Sequence, residues 1–154
     1  MSERFLEDFA VGEVLASKRR LRVGKDELIA FAKQFDPQPF HLDELAARKS
    51  IFGGLVASGW YTAAMTMRLV TESEFRSAAP TIGLGFDELR WPIPVRPGDE
   101  LRIESEVLDV RLSKSRPNQG LLKTRILTFN QQGQVVQRVV ANELVPRRLM
   151  LERR

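Results

Sequence analysis

The sequence predicts an α+β domain: an antiparallel β-sheet wrapped around one long central helix. Three observations lead there. Strand-like alternation dominates the second half, where Leu101, Ile103 and Val107 alternate with Arg102, Glu104 and Glu106, and where two further apolar runs, Leu121 to Phe129 and Val135 to Val145, are joined by a hairpin signal, Asn130-Gln131-Gln132-Gly133. The stretch Trp60 to Met67 carries no charge and has only Thr62 and Thr66 as polar residues, and a helix apolar nearly all round is a buried one. No internal repeat or low-complexity linker divides the 154 residues, a length that suits one domain, 1–154, with a sizeable core. A buried helix needs a sheet to wrap it, and hairpin-linked strands supply one.

Taken in order, residues 1–12 read as irregular, and Glu13 to Val23 as a first strand that Gly24 breaks. Asp26 and Glu27 then favour a helix start, and Leu28, Phe31, Ala32 and Phe35 follow at helical spacing as far as Asp36. Asp36-Pro37-Gln38-Pro39-Phe40-His41 reads as a stiff loop, because a proline pushes the residue before it out of helical dihedrals. Asp43 to Lys49 has acids first and bases last, the charge order that suits a short helix. After a glycine-broken connection, Ala57-Ser58-Gly59 opens the long helix, which should emerge near Arg68, Glu72 and Glu74. Ile82, Leu84 and Phe86 begin a strand, and Pro92, Pro94 and Pro97 hold an extended edge segment ending in a Pro97-Gly98-Asp99 turn. Beyond Val107 the alternation slips to Leu108, Val110 and Leu112, which predicts a bulge, and Ser113 to Gly120 reads as a polar loop.

Composition narrows the function. No apolar run approaches the ~20 residues of a membrane helix, and the N-terminus lacks the basic-then-apolar pattern of a signal peptide, so a cytoplasmic location is expected. Without cysteine there is no disulfide or thiolate chemistry, and one histidine with no recognisable ligand spacing argues against a metal site. A net charge of +4 suits an anionic ligand. The basic residues are scattered among acids and do not interleave with aromatics, which argues against nucleic acid. The densest basic stretch, Arg147-Arg148 and Arg153-Arg154, reads as a solvated tail.

The chemistry points to the proline loop. Asp36 and His41, the chain's one histidine, can face one pocket as an acid/base pair able to share a water. Gly59, at the start of an apolar helix, offers a backbone amide with no intrahelical acceptor at the positive end of the dipole, suited to a developing oxyanion. Each has a plainer reading. His41 can be a structural hydrogen-bonding residue, Asp36 an Asx-turn residue, and Gly59 and Ser58 only helix caps. Which of Asp36 and His41 takes the proton from water is left open.

These residues resemble the MaoC-like dehydratases, which include (R)-specific enoyl-CoA hydratases. That family's pattern runs Asp-x-Asn-Pro-x-His-x-Asp, then a helical alanine, a phenylalanine and a His-Gly pair opening the central helix. Asp36-Pro37-Gln38-Pro39-Phe40-His41-Leu42-Asp43 follows it, with Ala46, Phe52 and Gly59 in register. Pro94-Val95-Arg96-Pro97-Gly98-Asp99, Ser115-Arg116-Pro117 and Asn130-Gln131 extend the likeness, which covers about Gly24 to Val145. The family's asparagine is Gln38 here, and its histidine before the glycine is Ser58.

The resemblance implies a hot-dog fold and a homodimer or dimer of dimers, with an acyl-CoA or acyl-carrier thioester bound near the subunit interface. It implies Asp36 and His41 as the catalytic pair, Gly59 as the oxyanion amide, and Gln38 and Ser58 beside the substrate. Arg96 and Arg116 are the cations expected to meet the substrate's phosphates. No metal or redox cofactor is implied, CoA being part of the substrate. Two rivals remain at this stage: a hot-dog acyl-CoA thioesterase, and a non-catalytic acyl-CoA-binding or scaffold protein.

Overall fold

The computed structural model describes residues 4–73 and 80–148. Glu74, and Arg153-Arg154 of the basic tail, lie outside them. Six strands form one antiparallel sheet: β1 (Val14–Ala16), β2 (Leu21–Arg22), β3 (Ile82–Arg90), β4 (Glu100–Leu112), β5 (Gln119–Phe129) and β6 (Val135–Pro146). Their order is β1-β4-β5-β6-β3, with β2 also paired to β4. Among the described residues, four helices lie between β2 and β3: α1 (Lys25–Phe35), α2 (Pro39–Leu42), α3 (Glu44–Arg48) and α4 (Gly59–Thr71).

The core sits between α4 and the sheet. Tyr61 and Leu69 of α4 pack with Leu101 and Ile103 of β4, Ile126 of β5 and Val139 and Ala141 of β6. Burial alternates strictly along β5, with Leu122, Thr124, Ile126 and Thr128 turned inward, as a half-covered antiparallel strand requires. Thr66 of α4 and Thr128 of β5, both buried, satisfy one another through a 2.6 Å hydroxyl–hydroxyl hydrogen bond. The slip of phase in β4 is a register shift between Val107 and Asp109, as the changed alternation predicts.

Several expectations change. The first strand is two short ones. Between them Ser17 donates its amide to the Ile103 carbonyl and accepts the Ile103 amide on its hydroxyl at 3.0 Å, so a side chain replaces a ladder bond. Gln119 and Gly120 belong to β5 rather than to the preceding loop. The N-terminal stretch is docked: a one-turn 3-10 helix, Leu6–Asp8, places Leu6 and Phe9 on Val107, Leu122 and Val145. Gly120 is needed beneath it, because a Cβ there would lie 2.0 Å from a Leu6 methyl. Arg147 and Arg148 are tied to that turn through Glu7 and Asp8 rather than free in solvent.

One edge of the sheet is β3, and the proline segment after it is irregular, with its Val95 carbonyl accepting the Ala57 amide. Nor is α4 buried all round. The sheet covers Tyr61, Thr62, Thr66 and Leu69, whereas Trp60, Ala64 and Met67, at helical i, i+4, i+7 spacing, are exposed. Next along the chain's described residues, every residue of β3 from Ile82 to Asp87 is exposed as well.

Candidate active site

The site grows from the end of α1. Asp36 precedes Pro37 and so cannot continue the helix. Its backbone leaves the helical region, with φ −152° and ψ 70°, while its amide still donates to the Ala32 carbonyl. The chain then turns, with the Gln38 amide donating to the Asp36 carbonyl at 2.8 Å. The stretch expected to be loop as far as His41 is loop only to Gln38. Pro39 instead opens α2, because its fixed φ suits a first helical position and its missing N–H is one the helix start does not use. This single turn carries His41 inward, where it is 7% exposed, with the Phe40 ring edge-on to the imidazole at 4.7 Å.

His41 is oriented by Val56. The Nδ1···O distance is 2.7 Å, and a carbonyl only accepts, so Nδ1 carries the proton and donates. Nε2 faces Asp36 Oδ2 at 3.4 Å. The distance is long for a direct hydrogen bond, and both atoms can address one water lying to their side. The Val56 carbonyl is itself held, because the amides on either side of it are engaged: Val56 N–H donates to Phe40 and Ala57 N–H to Val95.

Asp36 is oriented by Ser58. The Ser58 hydroxyl donates to Asp36 Oδ2 at 2.7 Å and accepts the Trp60 amide at 3.2 Å. Ser58 is thus the N-cap of α4 and the support of the carboxylate at once. It is 0% exposed, so the side chain expected beside the substrate instead acts behind Asp36. Gly59 is the first residue of α4, and its amide has no acceptor among the described residues. A Cβ at Gly59 would lie 2.6 Å from two atoms of the Trp91 indole, so the missing side chain makes room for that ring. Beneath the site Tyr61 stacks edge-on against Phe31 at 5.7 Å, and burial, with the Glu27 carboxylate adding to it, pushes its phenol up to about 12.

The other expected residues are placed differently. Gln38 is exposed and caps α2 through its backbone. Arg96 donates to the Phe52 carbonyl at 2.7 Å and ties the connection before α4 to the proline segment. Arg116 stands apart from the pair: with Arg111 and Lys114 it lines a cavity of 480 Å³ floored by Leu84, Leu112, Leu121 and Leu144. Leu84 of β3 lies seven residues before Trp91, which follows the strand's end, and that is roughly 20 Å of extended chain. Val56, Trp91 and Gln137, whose side-chain oxygen accepts the Trp91 indole N–H at 2.8 Å, were not foreseen. No three His, Asp or Glu side chains among the described residues come together as a metal-binding set.

Comparison with known proteins identifies the family. The model of the MaoC-like domain family matches residues 8–128. Protein YdeM of Bacillus subtilis, which is uncharacterized, is 37% identical over 126 residues, 82% of this chain and 87% of its own. The crystal structure of the MaoC-like dehydratase from Rhodospirillum rubrum is 54% identical with a TM-score of 0.89, over 94% of this chain and 98% of that one. The unliganded R-hydratase PhaJ1 from Pseudomonas aeruginosa is 29% identical with a TM-score of 0.71, over 93% and 86%. The sheet around α4 is a hot-dog fold, and the chain belongs to the MaoC-like domain family.

Proposed function

We propose that the protein is an (R)-specific enoyl-CoA hydratase, or in the reverse direction a 3-hydroxyacyl-thioester dehydratase. The observation that carries this reading is the meeting of Asp36 Oδ2 and His41 Nε2 at 3.4 Å beside the free start of α4. Hydration breaks one O–H bond of water, forms a C–O bond at the β carbon and delivers a proton to the α carbon. The pair takes the first proton and returns one to carbon, so no net proton is consumed. Negative charge develops on the thioester oxygen, and the Gly59 amide at the positive end of α4 is the donor suited to hold it. His41, with Nδ1–H committed to Val56, turns Nε2 to the Asp36 side, and Ser58 holds the carboxylate there. The similarity to an R-hydratase supports the stereochemistry. No metal or redox cofactor takes part in this scheme, and CoA enters only as part of the substrate.

The same reading includes a homodimer. The outer edge of β3 is nine residues long, with Ile82, Leu84 and Phe86 about half exposed, and α4 exposes its own stripe of Trp60, Ala64 and Met67. Long exposed apolar edges are normally covered. Crotonyl-CoA decides the activity. Hydration removes the enone absorbance without releasing thiol, a thioesterase releases thiol, and a scaffold does neither.

A further inference from the structure

The chain has two tryptophans, and both stand at the start of α4. Their rings meet edge to face, with centroids 5.4 Å apart and planes at 77°. Trp91 is clamped. Pro92 restricts its backbone to extended conformations. Its indole N–H donates to Gln137, which is 1% exposed, and the ring lies in the space that a side chain on Gly59 would fill. Yet Trp91 remains 39% exposed and Trp60 55%. A large ring held at its polar end, with a free face beside an unpaired helix amide, is built to meet something apolar there.

We propose that Trp91 is a substrate-contacting residue whose indole forms the wall beside the thioester group. The proposal rests on the hydratase reading. A carbonyl oxygen that accepts the Gly59 N–H brings the carbonyl carbon and its two neighbours, the sulfur and the α carbon, next to Gly59. Trp91 already packs against that residue, so the indole flanks the thioester itself rather than the distant nucleotide. Two consequences follow. The ring keeps water from one side of the carbonyl, which strengthens the amide hydrogen bond as charge develops. It also limits rotation about the acyl–sulfur bond and so holds the double bond toward Asp36 and His41. Gln137 is the positioning residue that fixes the ring.

The test uses the full chain. Trp60→Phe leaves Trp91 as the single tryptophan. This variant is titrated with butyryl-CoA, which has the thioester but no double bond to hydrate, and with butyryl-pantetheine, which lacks the nucleotide. Tryptophan emission is followed against binding measured by calorimetry. The expected result is a saturable emission change with the calorimetric midpoint for both ligands. In kinetics on crotonyl-CoA and crotonyl-pantetheine, Trp91→Ala is expected to lower kcat at least tenfold on both, while Trp91→Phe stays within threefold of wild type. Flat emission where calorimetry shows binding would overturn the wall, as would wild-type kcat in folded Trp91→Ala. Emission that follows protein concentration rather than ligand would also overturn it, giving the ring to a second copy. If the wild type hydrates crotonyl-CoA, those failures belong to Trp91 alone. If it neither binds nor turns over either thioester, the hydratase reading falls and this assignment falls with it.

Discussion

Replacing Ser58 with alanine tests how the site is held together. One hydroxyl makes two bonds there, a charge-assisted one to Asp36 and an N-cap to the Trp60 amide. Hydrogen bonds to charged groups contribute about 1.5–3 kcal/mol, and losing a serine cap costs about 1 kcal/mol. Asp36 is partly exposed, so water takes over part of the first bond, and about 2 kcal/mol is the expected total. For a chain of this length that lowers Tm by about 4–8 °C in calorimetry. The catalytic effect is separate. A carboxylate free to turn away from His41 should lower kcat on crotonyl-CoA by about 10–100-fold, or roughly 1.4–2.8 kcal/mol. KM should stay within about threefold, because Ser58 is fully buried and cannot touch substrate. Ser58→Gly separates the two roles, since glycine is nearly as good a cap but supplies no hydroxyl. It should regain part of the stability and none of the kcat. Near-wild-type kcat in both variants, with stability lost as expected, would refute the claim that Ser58 orients Asp36.

Three further outcomes are expected. Burial raises the Glu143 carboxyl above its usual range, so the folded state favours its protonated form and pays when it ionises. Glu143→Gln should therefore melt higher than wild type at neutral pH. The difference should shrink as pH falls through the raised value and disappear below the ordinary carboxylate range, and a difference flat in pH would contradict burial as the cause. Light scattering at micromolar concentration should give at least a dimer mass, and a monomer would leave β3 and the α4 stripe unexplained. If the Arg111–Lys114–Arg116 cavity receives the CoA nucleotide, Arg116→Ala raises KM for crotonyl-CoA with kcat nearly unchanged, and spares crotonyl-pantetheine; equal effects on both substrates would remove that cavity from the binding site.

What the sequence revealed followed from local rules. The prolines after Asp36 end α1, the acids and bases of residues 43–49 mark α3, and the changed alternation at Val107 marks the bulge, because each depends on residues close in sequence. Asp36, His41 and Gly59 were legible as chemistry, and the structure brings all three to one place. The misreadings needed contacts between distant residues. Ser58 looked like a site lining because nothing local reveals that its hydroxyl reaches Asp36, 22 residues earlier. The Val56 carbonyl that sets the His41 tautomer has no side-chain signature at all. Nothing near Gly59 in the sequence shows that a side chain there would collide with Trp91, 32 residues later. The uncharged stretch of α4 signalled burial correctly for the face on the sheet. The exposed face has the same composition, because composition does not distinguish a core from an exposed apolar face.

The central claim is that Asp36 and His41 act together on water. Asp36→Asn and His41→Ala, each shown folded by circular dichroism and thermal melting, should be assayed for crotonyl-CoA hydration beside wild type, with the chirality of the 3-hydroxybutyryl-CoA determined. The account predicts (R) product from wild type, a fall of at least about a hundredfold in kcat for each variant, and a double variant little worse than either alone. Wild-type-like turnover in either folded single variant would contradict it.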